Sequence, residues 1–398
     1  MRVVTTAWDA FLADELARRD DAGLLRTLRP LERDGCWVVA EGGRRLLDLS
    51  SNDYLGLSCH PTVVDAAARA ARRRSGATAS RLIVGTDGRY AALEEKLADF
   101  QGTEAALVFG SGYLANVGAI SCLVVGPEDA VFSDSLNHAS IIDGCRLSRA
   151  TIHRYEHRDL DQLEAMLQRA ELAGARRKLI VTESVFSMSG DVAQLAGIVE
   201  LKERYGAALL VDEAHADGVF GPRGAGYAHE LGVAEQVDLH LGTFGKAFGA
   251  YGAYIAGSSL WIDYLTNAAR SFVFTTALPP AVIGTVAAAL EVIRDADDLR
   301  AKLLENAAHF RNRLEALGLD TCGSSTQIVP LIVGESETAL ALSQALEEAG
   351  VLAVAIRPPT VPPRTARLRF SVTALHGRAD LDRALDAIGL TIVNTAAR

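Results

Sequence analysis

Between about residues 60 and 256 the chain alternates helical segments with short runs that are almost entirely apolar, at 105–109, 130–133, 179–182, 208–211, 239–241 and 253–256. A strand with one wet face alternates polar and apolar residues, whereas a continuous apolar run is a strand buried on both faces. Strands of that kind separated by helices predict an α/β architecture with a parallel sheet covered on both sides. The runs end at polar residues: Ser133-Asp134, Glu183, Asp212-Glu213 and Thr243. Ligands of open α/β sheets sit beyond the carboxyl ends of the strands, so chemistry is expected there.

The flanks read differently. Phe11, Leu12, Leu16, Leu24, Leu25 and Leu28 recur at near-helical spacing until Pro30, and 36–40 and 45–49 flank Glu41-Gly-Gly as a hairpin. After Pro279-Pro280 one long helix is expected toward Leu319. A β-α-β-β-α pattern then follows over 328–333, 337–349, 351–356, 367–372 and 379–390. A chain of 398 residues exceeds one compact core. The expected division is an N-terminal segment (1–55), a large domain (56–290) and a smaller C-terminal α+β domain (291–398).

Charge narrows the function. Forty basic against 50 acidic residues leave a net charge of -10, which excludes nucleic acid as the main partner. Five scattered cysteines without a C-x-x-C pair suit a reduced, cytoplasmic protein and supply no metal site. No apolar run is long enough to span a membrane, and Met1 to Asp20 lacks the core of a leader peptide.

Three motifs carry chemistry. Gly110-Ser-Gly112-Tyr113-Leu-Ala115 fits G-x-G-x-x-[GA] at a strand-to-helix turn, with Asp134 ending the next strand. That predicts an anion site at a helix N-terminus. It leaves open both a plain Gly-rich turn and a nicotinamide oxidoreductase with Asp134 on a ribose. Asp212 ends a buried strand in Val211-Asp-Glu-Ala-His215. Lys246, in Gly242-Thr243-Phe-Gly-Lys246-Ala-Phe-Gly249, lacks P-loop spacing and sits among small residues, where burial lowers an amine's pKa. One cofactor asks for an amine, an acid, a phosphate cradle and a flat partner together: pyridoxal phosphate. Lys246 would take its aldehyde, Asp212 its ring nitrogen, and Gly112, Tyr113 and Thr243 its phosphate. His138 would stack on the ring, and His215 would bind the phenolic oxygen.

Nearly end to end, from about Leu24 to Arg378, the chain resembles the α-oxoamine synthases. The resemblance rests on Ser51-Asn-Asp-Tyr-Leu-Gly-Leu57, Asn137-His-Ala-Ser140, Thr182-Glu-Ser-Val-Phe-Ser-Met188, Val211-Asp-Glu-Ala-His215, Thr243-Phe-Gly-Lys246, Thr276-Ala-Leu-Pro-Pro280 and Arg357-Pro-Pro-Thr360. It implies the pyridoxal-phosphate-dependent transferase fold type I, with a mostly parallel sheet in the large domain and a smaller C-terminal α+β domain. It also implies an acyltransferase that condenses an amino acid, L-alanine, with an acyl thioester and releases CO2. The Arg-Pro-Pro-Thr run points to the biotin branch and a pimeloyl thioester on coenzyme A or acyl carrier protein; an aminotransferase on the same scaffold is the nearest alternative. By the same resemblance Arg26, Asn52 and Arg357 contact substrate carboxylates, and His138 polarises the thioester carbonyl. Glu183, Ser187 and Thr360 line the cleft, and Thr275 and Thr276 reach a phosphate across a homodimer interface. The substrate loop 75–81 departs from the family in carrying Ala77 and Ala79 where glycines are frequent. His153 and His157 are expected in a solvated turn, and Arg72-Arg-Arg74 and Arg176-Arg177 on the surface.

Overall fold

The computed structural model describes residues 6–396; residues 1–5 of the Met1–Asp20 stretch lie outside the described residues. Three short strands come first: β1 (Glu32–Asp34), β2 (Trp37–Val39) and β3 (Arg45–Asp48). The central sheet holds β4 (Ala105–Phe109), β5 (Asp129–Asp134), β6 (Thr151–Tyr155), β7 (Arg177–Glu183), β8 (Ala208–Asp212), β9 (Leu239–Thr243) and β10 (Ala253–Gly257). Their order is β4-β10-β9-β8-β7-β5-β6. Burial on both faces follows from the apolar runs. In β8, Leu209 and Val211 pack into one core layer and Leu210 into the opposite one, all fully buried.

Two features correct the sequence reading. β10 runs antiparallel to both β4 and β9, because residues 244–252 are too few for the crossover helix a parallel return requires. β6 carries no apolar run and was not expected. It lies at the sheet edge and only Tyr155 is buried, so Thr-Ile-His-Arg had no need to be apolar.

The helices that frame the site are α1 (Ala7–Asp21), α2 (Pro61–Ala71), α3 (Gly88–Gln101), α4 (Gly112–Leu123) and α5 (Ala139–Ser148). α1 starts on a Thr6/Asp9 capping box and buries none of its residues. The expected run to Leu28 stops at Asp21, because Gly23 takes a left-handed φ of 63° just beyond the helix. The long helix expected after Pro280 is two, Pro280–Arg294 and Asp297–Ala316. Asp297 and Asp298 open the second one, where a helix N-terminus favours acids.

The C-terminal unit holds β11 (Ile328–Gly334), β12 (Val351–Leu352), β13 (Val354–Ile356) and β14 (Ala366–Ser371). The single strand expected over 351–356 changes sheets at Ala353: β12 joins β3 in parallel, and β13 joins β14. The N-terminal hairpin is thereby built into this unit. Leu47 and Leu49 share a core with Phe310 and Phe370, whose ring centroids are 5.1 Å apart. No helix among the described residues is long and apolar enough to cross a membrane.

Candidate active site

Asp212 closes β8. Its Oδ1 accepts from the Ala214 N–H at 3.0 Å and its Oδ2 from the Asn116 amide at 2.7 Å. The same Asn116 nitrogen donates to Ser140 Oγ at 3.0 Å, and Ser140 stands 2.8 Å from Nδ1 of His138. His138 caps α5, and its Nδ1 also accepts from the Ser140 N–H at 3.3 Å. With Ser140 Oγ already accepting, its hydroxyl donates to Nδ1, which assigns the ring proton to Nε2. Burial and the nearby Lys246 lower the His138 pKa against the pull of Asp212, so the ring is neutral near pH 7.

Lys246 follows β9 on a turn that glycine shapes. Gly249 has φ of 61°, and a Cβ there would lie 2.2 Å from the Ser58 nitrogen. Its N–H donates to the Lys246 carbonyl at 2.8 Å, while Phe244 and Phe248 anchor the turn in the core. Lys246 is half-buried, and among the described residues its amine has no hydrogen-bond or ion-pair partner. Burial lowers its pKa and Arg369 adds to this, while Asp212 and Glu183 oppose. Glu183, at the end of β7, is buried with Oε1 unpartnered. Burial, then Asp212, push its pKa up to about 8, so the carboxyl keeps its proton at neutral pH.

His215 is buried, with Nδ1 2.6 Å from the Tyr54 hydroxyl. Burial, Lys246 and Arg369 hold its pKa well below the ordinary value. Asn52 Oδ1 accepts from Tyr54 at 3.2 Å and from Arg369 at 3.1 Å. Arg369 is buried on β14, and its other hydrogen bonds go to the Ser187 carbonyl and to Ser371 Oγ. It has no carboxylate partner among the described residues. A buried guanidinium without an anion is costly, so the position calls for an anionic ligand.

At the start of α4 Ser111 caps the Leu114 N–H at 3.2 Å, and the first-turn amides of Gly112 and Tyr113 need partners from outside the helix. A Cβ at Gly112 would fall 2.6 Å from Thr243 Cγ2, so only glycine lets this helix start approach the end of β9 so closely. The Tyr113 hydroxyl bonds Asp143, which leaves its backbone N–H as the group this residue can offer an anion.

The structure brings Lys246, Asp212, Glu183, His138, His215 and Asn52 into one network. Arg26, Arg357 and Thr360 form a second group: Arg26 lies 3.4 Å from Thr360 Oγ1, and Arg357 donates to the Gly23 carbonyl. Neither arginine has a carboxylate partner among the described residues. Thr275 and the exposed Thr276 are not hydrogen-bonded to the Lys246 network; Thr276 bridges Ser80. Asp134 accepts from His157, Leu136 N–H and Arg158 N–H, which removes it as a ribose ligand and with it the nicotinamide reading. The solvated turn expected at His153 and His157 is also corrected. His153 lies on β6 and stacks on Phe132 at 4.8 Å, and His157 is held between two carboxylates. Arg176 and Arg177 stay partly exposed but clamp the buried Asp129. Asn116, Ser140, Tyr54 and Arg369 were not singled out. Asn116 is a lone amide on an apolar helix one turn beyond Gly112, and Arg369 repeats Arg367 on one face of a strand; those were their signals.

Pyridoxal phosphate requires an amine for its aldehyde, an acid for its ring nitrogen and donors for its phosphate, and Lys246, Asp212 and the helix start at Gly112 beside Thr243 fit these needs. Residues 44–388 match the family model described as aminotransferase class I and II. A protein of Bacillus cereus (strain ATCC 10987 / NRS 248) named "Putative 8-amino-7-oxononanoate synthase" is 49% identical over 96% of each chain. A Bacillus mycoides protein of the same name is 48% identical over 96% of each. Among solved structures, serine palmitoyltransferase from S. paucimobilis with a bound PLP-myriocin aldimine aligns over 100% of both chains with a TM-score of 0.92 and 31% identity. The 8-amino-7-oxononanoate synthase of Francisella tularensis aligns over 88% of this chain and 99% of its own, with a TM-score of 0.75 and 28% identity. By fold, by site and by these relatives, the chain belongs to the class I and II aminotransferase family, in its α-oxoamine synthase branch.

Proposed function

We propose that this chain is a pyridoxal-phosphate-dependent acyltransferase that joins L-alanine to a pimeloyl thioester. The products would be 8-amino-7-oxononanoate, CO2 and the free thiol carrier, as biotin synthesis requires. The observation that carries this reading is the Lys246 amine, without a hydrogen-bond partner among the described residues, set within electrostatic reach of Asp212 and of Arg369, which has no carboxylate partner among them. When bound, pyridoxal phosphate supplies an aldehyde that condenses with amines and a ring that accepts the electron pair left at Cα.

The chain's own residues do the rest. Lys246 Nζ, with its lowered pKa, removes the Cα proton and later returns one. Asp212, fixed by Asn116, holds the ring nitrogen protonated. His138 presents Nε2–H to the thioester carbonyl, where negative charge builds on oxygen. Arg369 and Asn52 receive the amino-acid carboxylate. Gly112, Tyr113 and Thr243 bind the phosphate, with Thr275 and Thr276 completing its site from a second copy in a homodimer. His215 bonds the phenolic oxygen, and Glu183 and Ser187 wall the cleft. Arg26, Arg357 and Thr360 take the far carboxylate of a dicarboxylic acyl chain.

The closer fit to serine palmitoyltransferase favours a second reading, an α-oxoamine synthase using serine and a long monocarboxylic acyl thioester. Mass spectrometry of products from L-alanine, glycine and L-serine with a panel of acyl thioesters separates the two, since only the first reading requires an ω-carboxylate. For the cofactor, the purified protein is expected to be yellow and Lys246→Ala to lose that absorbance. A variant with wild-type absorbance would overturn the assignment of Lys246.

A further inference from the structure

We propose that His157 is a positioning residue that staples together the two strand-end segments of the site, 134–138 and 183–191. His157 Nδ1 stands 2.9 Å from Asp134 Oδ1 and its Nε2 stands 2.6 Å from Asp191 Oδ2. A neutral imidazole has one donor and one lone pair, so a ring facing a carboxylate with each nitrogen must carry both protons and a positive charge. The ring also meets Phe186 edge-on, with centroids 4.4 Å apart.

Each carboxylate is the hinge pin of a segment that carries site residues. Asp134 ends β5, and its Oδ1 accepts the Leu136 N–H at 2.8 Å, folding the turn that delivers His138. Asp191 closes the loop after Glu183. Its carbonyl accepts the Phe186 N–H at 3.0 Å, and its side chain accepts from Ser189. Asn137 spans the same gap one layer higher, its Oδ1 accepting the Glu183 N–H at 3.1 Å. The imidazolium is therefore the charged half of a two-point clamp that fixes His138 against Glu183. The inference rests on the proposed reading only in counting those two as site residues.

The charges facing the ring set its limits. Arg158 lies 3.6 Å from Asp191, and its N–H donates to Asp134. Arg367 and Cys322 act on Asp191 from the C-terminal unit, and Tyr155 acts on Asp134. Burial alone would lower the His157 pKa, but the hydrogen bonds to the two carboxylates outweigh it and raise it to about 9. A histidine raised above its ordinary 6.5 contributes its full stabilisation below that value and loses it as pH rises through about 9.

The test is His157→Gln in the cofactor-loaded enzyme, alongside Asp191→Asn. A glutamine donates through one nitrogen and carries no charge. It should lower kcat roughly 10- to 100-fold, with KM for the amino acid within about twofold, since a displacement near 1 Å costs that order of rate. It should also abolish the alkaline limb near pH 9. Asp191→Asn keeps an acceptor and one tether, so it should fold and move that limb to lower pH. Ring-proton NMR of His157 in the cofactor-free protein reads the titration without any reaction, so the staple is judged even if the condensation is not this enzyme's chemistry. A ring that titrates below pH 7, or two folded variants with wild-type kcat and alkaline limb, would overturn the inference.

Discussion

Gly112→Ala tests the cofactor site at the level of single atoms. The added Cβ would lie 2.6 Å from Thr243 Cγ2, while the next atom, Thr243 Cβ, is 3.9 Å away, so one methyl group makes the whole conflict. Thr243 is buried on a strand, where a β-branched side chain is stiff. Its rotation would carry Oγ1 away from the Ala214 carbonyl that it bonds at 3.4 Å. Overpacking of this kind costs about 1–3 kcal/mol. If that cost falls on the site proposed for the phosphate, affinity for pyridoxal phosphate drops roughly 5- to 150-fold. The helix itself does not suffer, because alanine is the better helix former by up to about 1 kcal/mol. Titration of the cofactor-free protein, followed by absorbance, measures the loss. Thr243→Ser removes the offending methyl and keeps the hydroxyl, so the double variant should recover most of the affinity, whereas Thr243→Ser alone should bind within a few fold of wild type. Equal affinities across all four proteins would refute the placement of the phosphate.

Two further outcomes follow from the charges. Glu183 is held protonated up to about pH 8, far above an unfolded carboxyl, so folding binds a proton across that interval and stability falls as pH rises from about 4.5 to 8. Glu183→Gln should flatten that fall in the melting temperature of the cofactor-free protein while matching wild type near pH 5; an unchanged slope would place the orphaned carboxyl in water. Arg26→Ala should raise KM for a dicarboxylic acyl thioester by about tenfold or more, the worth of one charge-assisted contact, and leave a monocarboxylic thioester of equal length within about twofold. Equal effects on both would detach Arg26 from the far carboxylate.

What could be read in the sequence follows from where each residue gets its constraint. Strands β4, β5, β7, β8 and β9 were visible because burial on two faces forces apolar runs, and the same burial makes the polar residue at each strand end conspicuous. Asp212 and Glu183 stood out that way, whereas Lys246 was marked by the small residues around it and His138 by the flat partner the cofactor requires. β6 escaped because an edge strand needs no such run, and the reversal of β10 lay in the length of residues 244–252, which periodicity does not register. Asn116 and Ser140 were hidden for another reason: their role is relational. An amide on α4 matters only because α5 lies beside it and places Ser140 3.0 Å from it. His157 shows the same limit. A solvated turn is what its neighbours predict, but its partners are acids at positions 134 and 191, which local sequence does not connect.

The electrostatics of the site form one system. Lys246, His138 and His215 all have pKa values lowered first by burial, and Glu183 has one raised first by burial. Desolvation thus drives every one of these groups toward neutrality, and the polar network decides which charges survive. Asp212 accepts hydrogen bonds from Asn116 and from the Ala214 N–H, and Arg369 donates to Ser187, Ser371 and Asn52. Asp212 thus stands where the ring nitrogen is proposed to lie and Arg369 where a substrate carboxylate is proposed to bind, beside groups that burial drives toward neutrality. A base at Nζ has to be neutral when it takes a proton, and a donor at His138 Nε2 has to avoid competing with Lys246 for Asp212. Burial serves both conditions together, so the packing that anchors the Lys246 turn through Phe244 and Phe248 also bears on its chemistry.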